Sequence, residues 1–242
     1  MNAPGKVTNN FGHGPLNSGG YDPGAIGPTG LKESDQNADV GKRITTKLRA
    51  NGWQVLEIQD GDLWDVVNAS NAWKADYFIS NHQNGSANPA AKGIETLIQD
   101  KGGVAETIGK EVQKELIKAT CLYDRGVKVQ NNQVTRETWC PAILVEGGFV
   151  TNPAEEALMY KDAFDELVAE AICVGFSRAV NVPYTNKSIA PVVVPVATPI
   201  PVVTIDPNPD TYITVRCRIS EVSKAISENN KLGWAAKRLE LA

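Results

Sequence analysis

The chain has 242 residues, of which 42% are hydrophobic and 21% are charged, and its formal net charge is −4 at pH 7. This length and composition are typical of a globular protein with a full core, and the mild negative charge gives no support for nucleic-acid binding. No apolar run approaches the roughly 18 residues that a membrane span needs, and the polar N-terminus lacks the apolar core of a signal peptide, so we expect synthesis in the cytoplasm without a leader.

Strand-like and helix-like segments alternate through the first 180 residues. Val40, Ile44 and Leu48 mark one helical face that ends at Asn51-Gly52. The pattern then predicts, in order, a strand at 53–58, a helix at 63–73, strands at 77–79 and 94–98, a helix at 104–116, strands at 127–129 and 142–145, and a helix at 164–176. This alternation predicts an α/β fold with a mainly parallel sheet covered by helices on both faces.

Proline density divides the chain. Residues 181–209 hold half of the 14 prolines, and proline fixes φ and removes a backbone donor, so this stretch is predicted to be a semi-rigid linker. A domain of residues 1–180 precedes it. Residues 210–242 are predicted to form a small β-α-β segment that is too short to be stable alone. Its slight excess of Lys and Arg suits an anionic polymer, and homo-oligomerisation is an equal alternative.

Four side chains stand where predicted strands or loops end. The chain has only two histidines, His13 and His82, and each lies where a strand passes into a loop. Glu33 follows a Gly/Pro-rich loop, and Glu146 directly continues the apolar run 142–145. Open α/β sheets place binding groups at such edges. Two imidazoles and a carboxylate make a catalytic zinc site, and a further carboxylate beside them could activate water.

Each of these side chains also has a structural interpretation. A lone histidine is more often structural than a ligand, and Glu33 alone would suit the positive end of a helix dipole. Glu146 is harder to explain in this way, because a buried carboxylate needs a partner or a function. Asp22, in a turn with Pro23-Gly24, is interpreted as structural.

Five motifs occur in a characteristic order. They are Gly12-His13-Gly14, Asp22-Pro23-Gly24-Ala25, Gly30-Leu31-Lys32-Glu33, Ser80-Asn81-His82-Gln83-Asn84, and the stretch from Pro141 through Glu146-Gly147-Gly148 to Asn152. With them, residues 6–180 resemble the zinc-dependent N-acetylmuramoyl-L-alanine amidases of the Amidase_3 type, which are found in bacterial autolysins and phage endolysins. The resemblance implies that His13, Glu33 and His82 bind Zn²⁺, that Glu146 is the catalytic carboxylate, and that the sheet is mixed but mainly parallel.

The resemblance also implies a reaction and a partner. The expected activity is zinc-dependent hydrolysis of the amide between N-acetylmuramic acid and L-alanine in bacterial peptidoglycan. We expect a phage or prophage endolysin that acts on the cell wall after release from the cytoplasm. A bacterial autolysin, a zinc peptidase acting on wall peptides, and a wall-binding protein without activity are the alternatives.

Two departures from the family pattern bear on the fold. Residues 6–11 are mostly polar where the family has an apolar strand, so the sequence leaves the length and burial of this strand open. Asn81 and Gln83 stand where the family often has an apolar residue and alanine.

Between His82 and Glu146 there is no helical insertion long enough to plug the site, so we expect an unlatched enzyme.

Overall fold

The computed structural model describes residues 1–17 and 19–185; most of the predicted linker and all of the predicted β-α-β segment lie outside the described residues. The described elements are β1 (Lys6–Phe11), β2 (Gly14–Pro15), β3 (Tyr21–Asp22), α1 (Glu33–Ala50), β4 (Gln54–Ile58), α2 (Leu63–Trp73), β5 (Tyr77–Asn84), β6 (Ile94–Ile98), α3 (Val104–Thr120), β7 (Asp124–Val129), α4 (Gln133–Glu137), β8 (Ala142–Phe149), α5 (Pro153–Met159) and α6 (Asp162–Ala179).

A six-stranded mixed sheet forms the centre of this domain. Its strand order is β4-β1-β5-β8-β6-β7, and every pair is parallel except β6 with β8. Strands β6 and β7 therefore run against the other four. Strands β2 and β3 form a separate two-stranded ribbon directly after β1.

Helices cover both faces of the sheet. Helices α1, α3 and α6 share the larger core with Ile79 of β5 and with Ile143 and Val145 of β8. Helices α2 and α4 share a smaller core with Phe78 and Leu144 on the other face. Strand β8 is apolar on both faces because it lies inside a sheet covered on both sides. The predicted fold class is confirmed.

The polar strand β1 is a full-length, buried strand at the interior of the sheet. The side chains of Thr8, Asn9 and Asn10 are at most 2% exposed, and each has a partner on a neighbouring element. The pairs, at 2.6 to 3.0 Å, are Thr8 with Ser70, Asn9 with the Gly41 carbonyl and Thr45, and Asn10 with Ser80. Burial of these groups is tolerated because each polar side chain is hydrogen-bonded.

Charged and polar side chains link α1 to α6 within the larger core. Gln36 Nε2 donates to Asp165 Oδ1 at 2.5 Å, and Lys47, only 2% exposed, pairs with both Glu166 and Glu170. Burial raises the pKa of Asp165 to about 7, although the hydrogen bond from Gln36 opposes this. Asp165 is therefore a carboxyl group that the fold favours in its neutral form.

Packing continues past α6 into the first residues of the predicted linker. Val182 is buried, the Tyr184 hydroxyl donates to Glu170 at 2.7 Å, and the Thr185 amide donates to Asn51 at 2.7 Å. The domain contacts thus reach at least residue 185. Within the described part of the chain, no helix combines the length and the apolar character needed to cross a membrane.

Candidate metal and catalytic site

The strand ends bring the four predicted site residues together. Strands β1, β5 and β8 are parallel neighbours, so their carboxyl ends meet at one edge of the sheet. His13 follows β1 by two residues, His82 lies near the end of β5, and Glu146 is the register partner of His82 on β8. Glu33 is the first residue of α1. The edge placement expected from the sequence is therefore observed.

Two imidazoles converge on one carboxylate oxygen. His13 Nε2 lies 3.3 Å and His82 Nδ1 lies 3.0 Å from Glu33 Oε1, and candidate ligand atoms of the three residues lie within 4.8 Å of one another. Tetrahedral zinc with bonds of about 2.0 to 2.1 Å separates neighbouring ligand atoms by roughly 3.3 Å. The donor types and their spacing both fit a single zinc ion with a further position open.

Two glycines make room for this cluster. A Cβ on Gly12 would lie 2.1 Å from Cε1 of His82, and a Cβ on Gly24 would lie 2.6 Å from Glu33 Oε2 and 2.7 Å from His13 Cδ2. Gly24 also has φ +64°, and His13 itself has φ 62°, a left-handed conformation that is costly for a residue with a side chain. Gly12 of the first motif and Gly24 of the second are thus required by the packing of the site.

The Glu33 carboxylate is fixed by the backbone as well as by the histidines. Oε2 accepts from the Ala25 amide at 2.9 Å, and Oε1 accepts from the Gln83 amide at 3.1 Å. Burial alone would raise the pKa of Glu33, but hydrogen bonds from His13 and His82 outweigh it and hold the pKa well below its usual range. Glu33 is therefore ionised at neutral pH, as a metal ligand must be.

Asp22 has a larger role than the turn residue inferred from the sequence. Its Oδ1 accepts from the Gly24 amide at 3.0 Å, as a turn residue would, but its Oδ2 lies 2.7 Å from His13 Nδ1. A carboxylate on Nδ1 fixes the ring orientation and leaves Nε2 to face Glu33. Burial lowers the pKa of His13, but Glu33 and Asp22 together raise that pKa to about 9. The signal in the sequence was an aspartate shortly after His13, in a Gly-rich loop that folds back.

Within the described part of the chain, no group of opposite charge forms an ion pair with Glu146. Its neighbours in register are His82 on β5 and Glu95 on β6. Among the described residues, Oε2 of Glu146 is buried without a hydrogen bond, and no Lys or Arg pairs with it. Burial raises the pKa of Glu146 well above its ordinary value, and the charges of Glu33 and Glu95 raise it further. A carboxylate in this setting is suited to accept and release a proton.

A carboxylate of α5 fixes the loop that leads into Glu33. Glu156, only 1% exposed, accepts from the Thr29 amide at 3.0 Å and the Leu31 amide at 3.4 Å. Gly27 passes so close that a Cβ there would lie 2.2 Å from Glu156 Oε1. The loop position therefore depends on a residue far from it in the sequence, and no local pattern indicated this.

No helix between His82 and Glu146 takes part in the cluster. Among the described residues, helix α3 packs against α6 and β6, and α4 packs against α2 and β8. None of the hydrogen bonds or ion pairs of His13, Glu33 and His82 involves α3 or α4. The unlatched site stays a prediction.

A model of the family described as N-acetylmuramoyl-L-alanine amidase (Amidase_3) matches residues 10–178. The chain belongs to this family. The span that matches the amidase family contains His13, Glu33, His82 and Glu146, so the resemblance drawn from the five motifs is confirmed at the level of the family.

Two curated relatives and one solved structure give the extent of this amidase similarity. The sporulation-specific N-acetylmuramoyl-L-alanine amidase of Bacillus subtilis (strain 168) is 32% identical over 177 residues, which is 70% of this chain and 68% of that protein. The endolysin of Bacillus phage SPP1 is 34% identical over 185 residues, 72% of this chain and 67% of that protein. The catalytic domain of CwlV, an amidase from Bacillus (Paenibacillus) polymyxa var. colistinus, has a TM-score of 0.66 at 29% identity, covering 74% of this chain and 99% of that domain.

Proposed function

We propose that this chain is a zinc-dependent amidase that hydrolyses the bond between N-acetylmuramic acid and L-alanine in bacterial peptidoglycan. The observation that carries the proposal is the convergence of His13 Nε2 and His82 Nδ1 on Glu33 Oε1, with Glu146 in register one strand away. Membership of the amidase family supports the reaction class. Two imidazole nitrogens and a carboxylate oxygen form the donor set of catalytic zinc sites.

His13, Glu33 and His82 would hold the ion. Bound there, zinc would polarise the scissile carbonyl and lower the pKa of a water molecule. The protein supplies the orientation: Asp22 fixes the ring of His13, and the Ala25 and Gln83 amides fix the Glu33 carboxylate. The ligands are therefore arranged before the ion binds, which reduces the reorganisation that binding requires.

Glu146 is the residue we assign to proton transfer. It takes a proton from the attacking water as the oxygen adds to the lactyl carbonyl of N-acetylmuramic acid. It then gives that proton to the L-alanine nitrogen as the carbon–nitrogen bond breaks. The products are a free lactyl carboxylate and a peptide with a free amino terminus. Burial raises the pKa of Glu146 above its ordinary value, which makes it a stronger base toward the attacking water than an ordinary carboxylate.

We further propose that the biological role is that of a phage or prophage endolysin, acting on the wall after release from the cytoplasm. Similarity to the endolysin of Bacillus phage SPP1 supports this role. Similarity to the sporulation-specific amidase of Bacillus subtilis favours a bacterial wall enzyme as the second candidate. Production inside a sensitive bacterium separates the two: an endolysin lyses the cells only after the membrane is permeabilised, whereas an exported autolysin lyses them without that step.

Digestion of purified peptidoglycan tests the reaction itself. Mass spectrometry should find peptides with a free amino-terminal L-alanine and, once a muramidase has cut the glycan, disaccharides that have lost their peptides. The protein should contain one zinc per chain. Cuts inside the stem peptide instead would show that the protein is a zinc peptidase and not an amidase. Binding to walls without either product would show that it is a wall-binding protein without this activity. Residues 210–242 remain a predicted wall-binding or oligomerisation segment, and sedimentation with walls tests the first of these.

A further inference from the structure

A charged cluster lies one strand beyond Glu146. Glu95 on β6 is its register partner in the antiparallel β6–β8 pair. Oε2 of Glu95 accepts from Arg125 Nε at 2.6 Å and from Lys128 Nζ at 2.5 Å, and Oε1 accepts from Asn84 Nδ2 at 2.9 Å. Asn84, the last residue of β5 and two residues beyond His82, is thus engaged by this cluster.

The cluster carries an excess of positive charge. Burial would raise the pKa of Glu95, but hydrogen bonds and charge from Lys128 and Arg125 hold that pKa below its usual value, so one carboxylate faces two cations. Glu95 is 8% exposed, whereas Arg125 is 29% and Lys128 is 42% exposed. The carboxylate is therefore the buried base of the cluster, and the two cationic groups reach the solvent.

The guanidinium of Arg125 is held in place. It lies 4.8 Å over the ring of Phe149, and its Nη1 is 3.4 Å from the Lys92 carbonyl. Its Nη2 donates no hydrogen bond to any of the described residues. A fixed guanidinium with a free donor is arranged to bind a planar anion, and carboxylate is the anion that matches its geometry.

The cluster shares a surface with the candidate catalytic site. His82, Glu146 and Glu95 are register partners across β5, β8 and β6, so their side chains lie on the same face of the sheet. Strand spacing places β6 about 10 Å from β5 along this row. A substrate whose scissile amide lies at Glu146 would bring its next groups to Arg125 and Lys128.

We propose that Arg125 and Lys128 form a subsite for a carboxylate of the stem peptide on the leaving-group side of the scissile amide. This inference rests on the proposed function. The lactyl carboxyl of N-acetylmuramic acid is consumed in the amide bond, so the sugar side has no free carboxylate to offer. The stem peptide does have free carboxylates beyond L-alanine. The subsite would therefore select walls in which that carboxylate is free over walls in which it is amidated.

A matched pair of soluble substrates tests this selection. N-acetylmuramoyl-L-alanyl-D-glutamate carries the α-carboxylate, and the corresponding D-isoglutamine compound carries a neutral amide in its place. The γ-carboxyl of both compounds is capped as a methylamide, so that no other carboxylate can occupy the subsite. The full-length zinc-loaded enzyme should favour the acid by about 10-fold in kcat/KM, the range expected for a partly exposed charge-assisted contact. Lys128→Met and Arg125→Gln should each bring that ratio close to one. Lys114→Met removes a charge from a 63% exposed side chain of α3 and should keep the wild-type ratio.

The outcomes separate the subsite from the reaction. Hydrolysis of both compounds at equal rates by the wild type, or an equal loss on both in Lys128→Met, would overturn the subsite and leave the amidase intact. Calorimetry with the Glu146→Gln variant measures the binding of both compounds without turnover. If this variant binds the acid more tightly than the amide, if adding Lys128→Met removes the difference, and if the wild type hydrolyses neither compound, the subsite is supported and the amidase is rejected.

Discussion

Replacing Glu156 with glutamine tests whether the loop that leads into Glu33 determines metal affinity. Glu156 is 1% exposed, and its carboxylate accepts from two backbone amides, those of Thr29 and Leu31. Glutamine has the same shape, but one of its two terminal atoms is a donor. When the oxygen of glutamine takes the place of Oε1, its amide nitrogen takes the place of Oε2, which lies 3.2 Å from the Thr29 amide, and this nitrogen is buried with the rest of the side chain.

The magnitude follows from these contacts. The variant loses a charge-assisted hydrogen bond, worth about 1.5 to 3 kcal/mol, and leaves one buried donor unsatisfied at about 1 to 3 kcal/mol. Relaxation of the loop recovers part of this, so we expect Glu156→Gln to lower the free energy of unfolding by about 2 to 4 kcal/mol. A loop that holds Glu33 less firmly should also lower zinc affinity by about 10-fold, as loss of an outer contact does at other metal sites.

Two measurements on the full-length protein check this expectation. Urea unfolding in the presence of a chelator gives the stability of the metal-free protein, and competition with a fluorescent chelator gives the zinc affinity. Glu137→Gln is the matched control, because among residues 1–17 and 19–185 this partly exposed side chain pairs only with the adjacent Arg136, a contact worth at most about 1 kcal/mol. If Glu156→Gln matches the wild type in both measurements, the loop is held by other contacts and the reasoning is wrong.

Four further predictions concern the metal, the base, a buried acid and the domain boundary. His82→Ala should lose stoichiometric zinc and activity, and retention of both in metal analysis and peptidoglycan assays would remove it from the ligand set. Glu146→Gln should keep zinc and the fold but lose turnover by about 10²- to 10⁴-fold; near-normal turnover would exclude Glu146 as the base. The pKa of Asp165 is raised to about 7, so its stabilising contribution is present below the ordinary pKa and is lost as pH rises through 7. The free energy of unfolding of Asp165→Asn, relative to that of the wild type, should therefore rise by about 2 kcal/mol from pH 5 to pH 8 in urea unfolding with chelator. A difference that does not change with pH would contradict this. A chain of residues 1–185 should still cleave small muropeptides, because all four proposed site residues lie within it; an inactive fragment with native circular dichroism would mean that the C-terminal residues complete the site.

Local patterns were sufficient for the elements and for the residues at their ends. The apolar run before Glu146 and the apolar run before His82 located both buried strands, but the strands continue past these side chains, to Phe149 in β8 and to Asn84 in β5. Helical periodicity located α1, α3 and α6. These features depend on neighbours within a few residues, which is the range over which hydrophobic periodicity carries information.

Features that depend on distant partners could not be predicted in the same way. The antiparallel direction of β6 relative to β8 is not encoded in the apolar pattern of β6. Strand β7 begins at Asp124, three residues earlier than expected, because its polar first residues pair with β6 through the backbone. The contact of Asp22 with His13 requires knowing how a loop folds back. The row of His82, Glu146 and Glu95 exists only once β8 pairs with both of its neighbours.

The polar interior of β1 also restricts how the sheet can assemble. Asn9 finds both the Gly41 carbonyl and Thr45 in one alignment only, and a slip of one residue would turn its amide away from both of these partners on α1. An apolar strand would tolerate such a slip more readily, since any alignment buries it equally well. The same composition also leaves the unfolded N-terminus without a strongly apolar, aggregation-prone segment. Strand β1 therefore contributes alignment and protection from misassembly where other strands of the sheet contribute apolar burial.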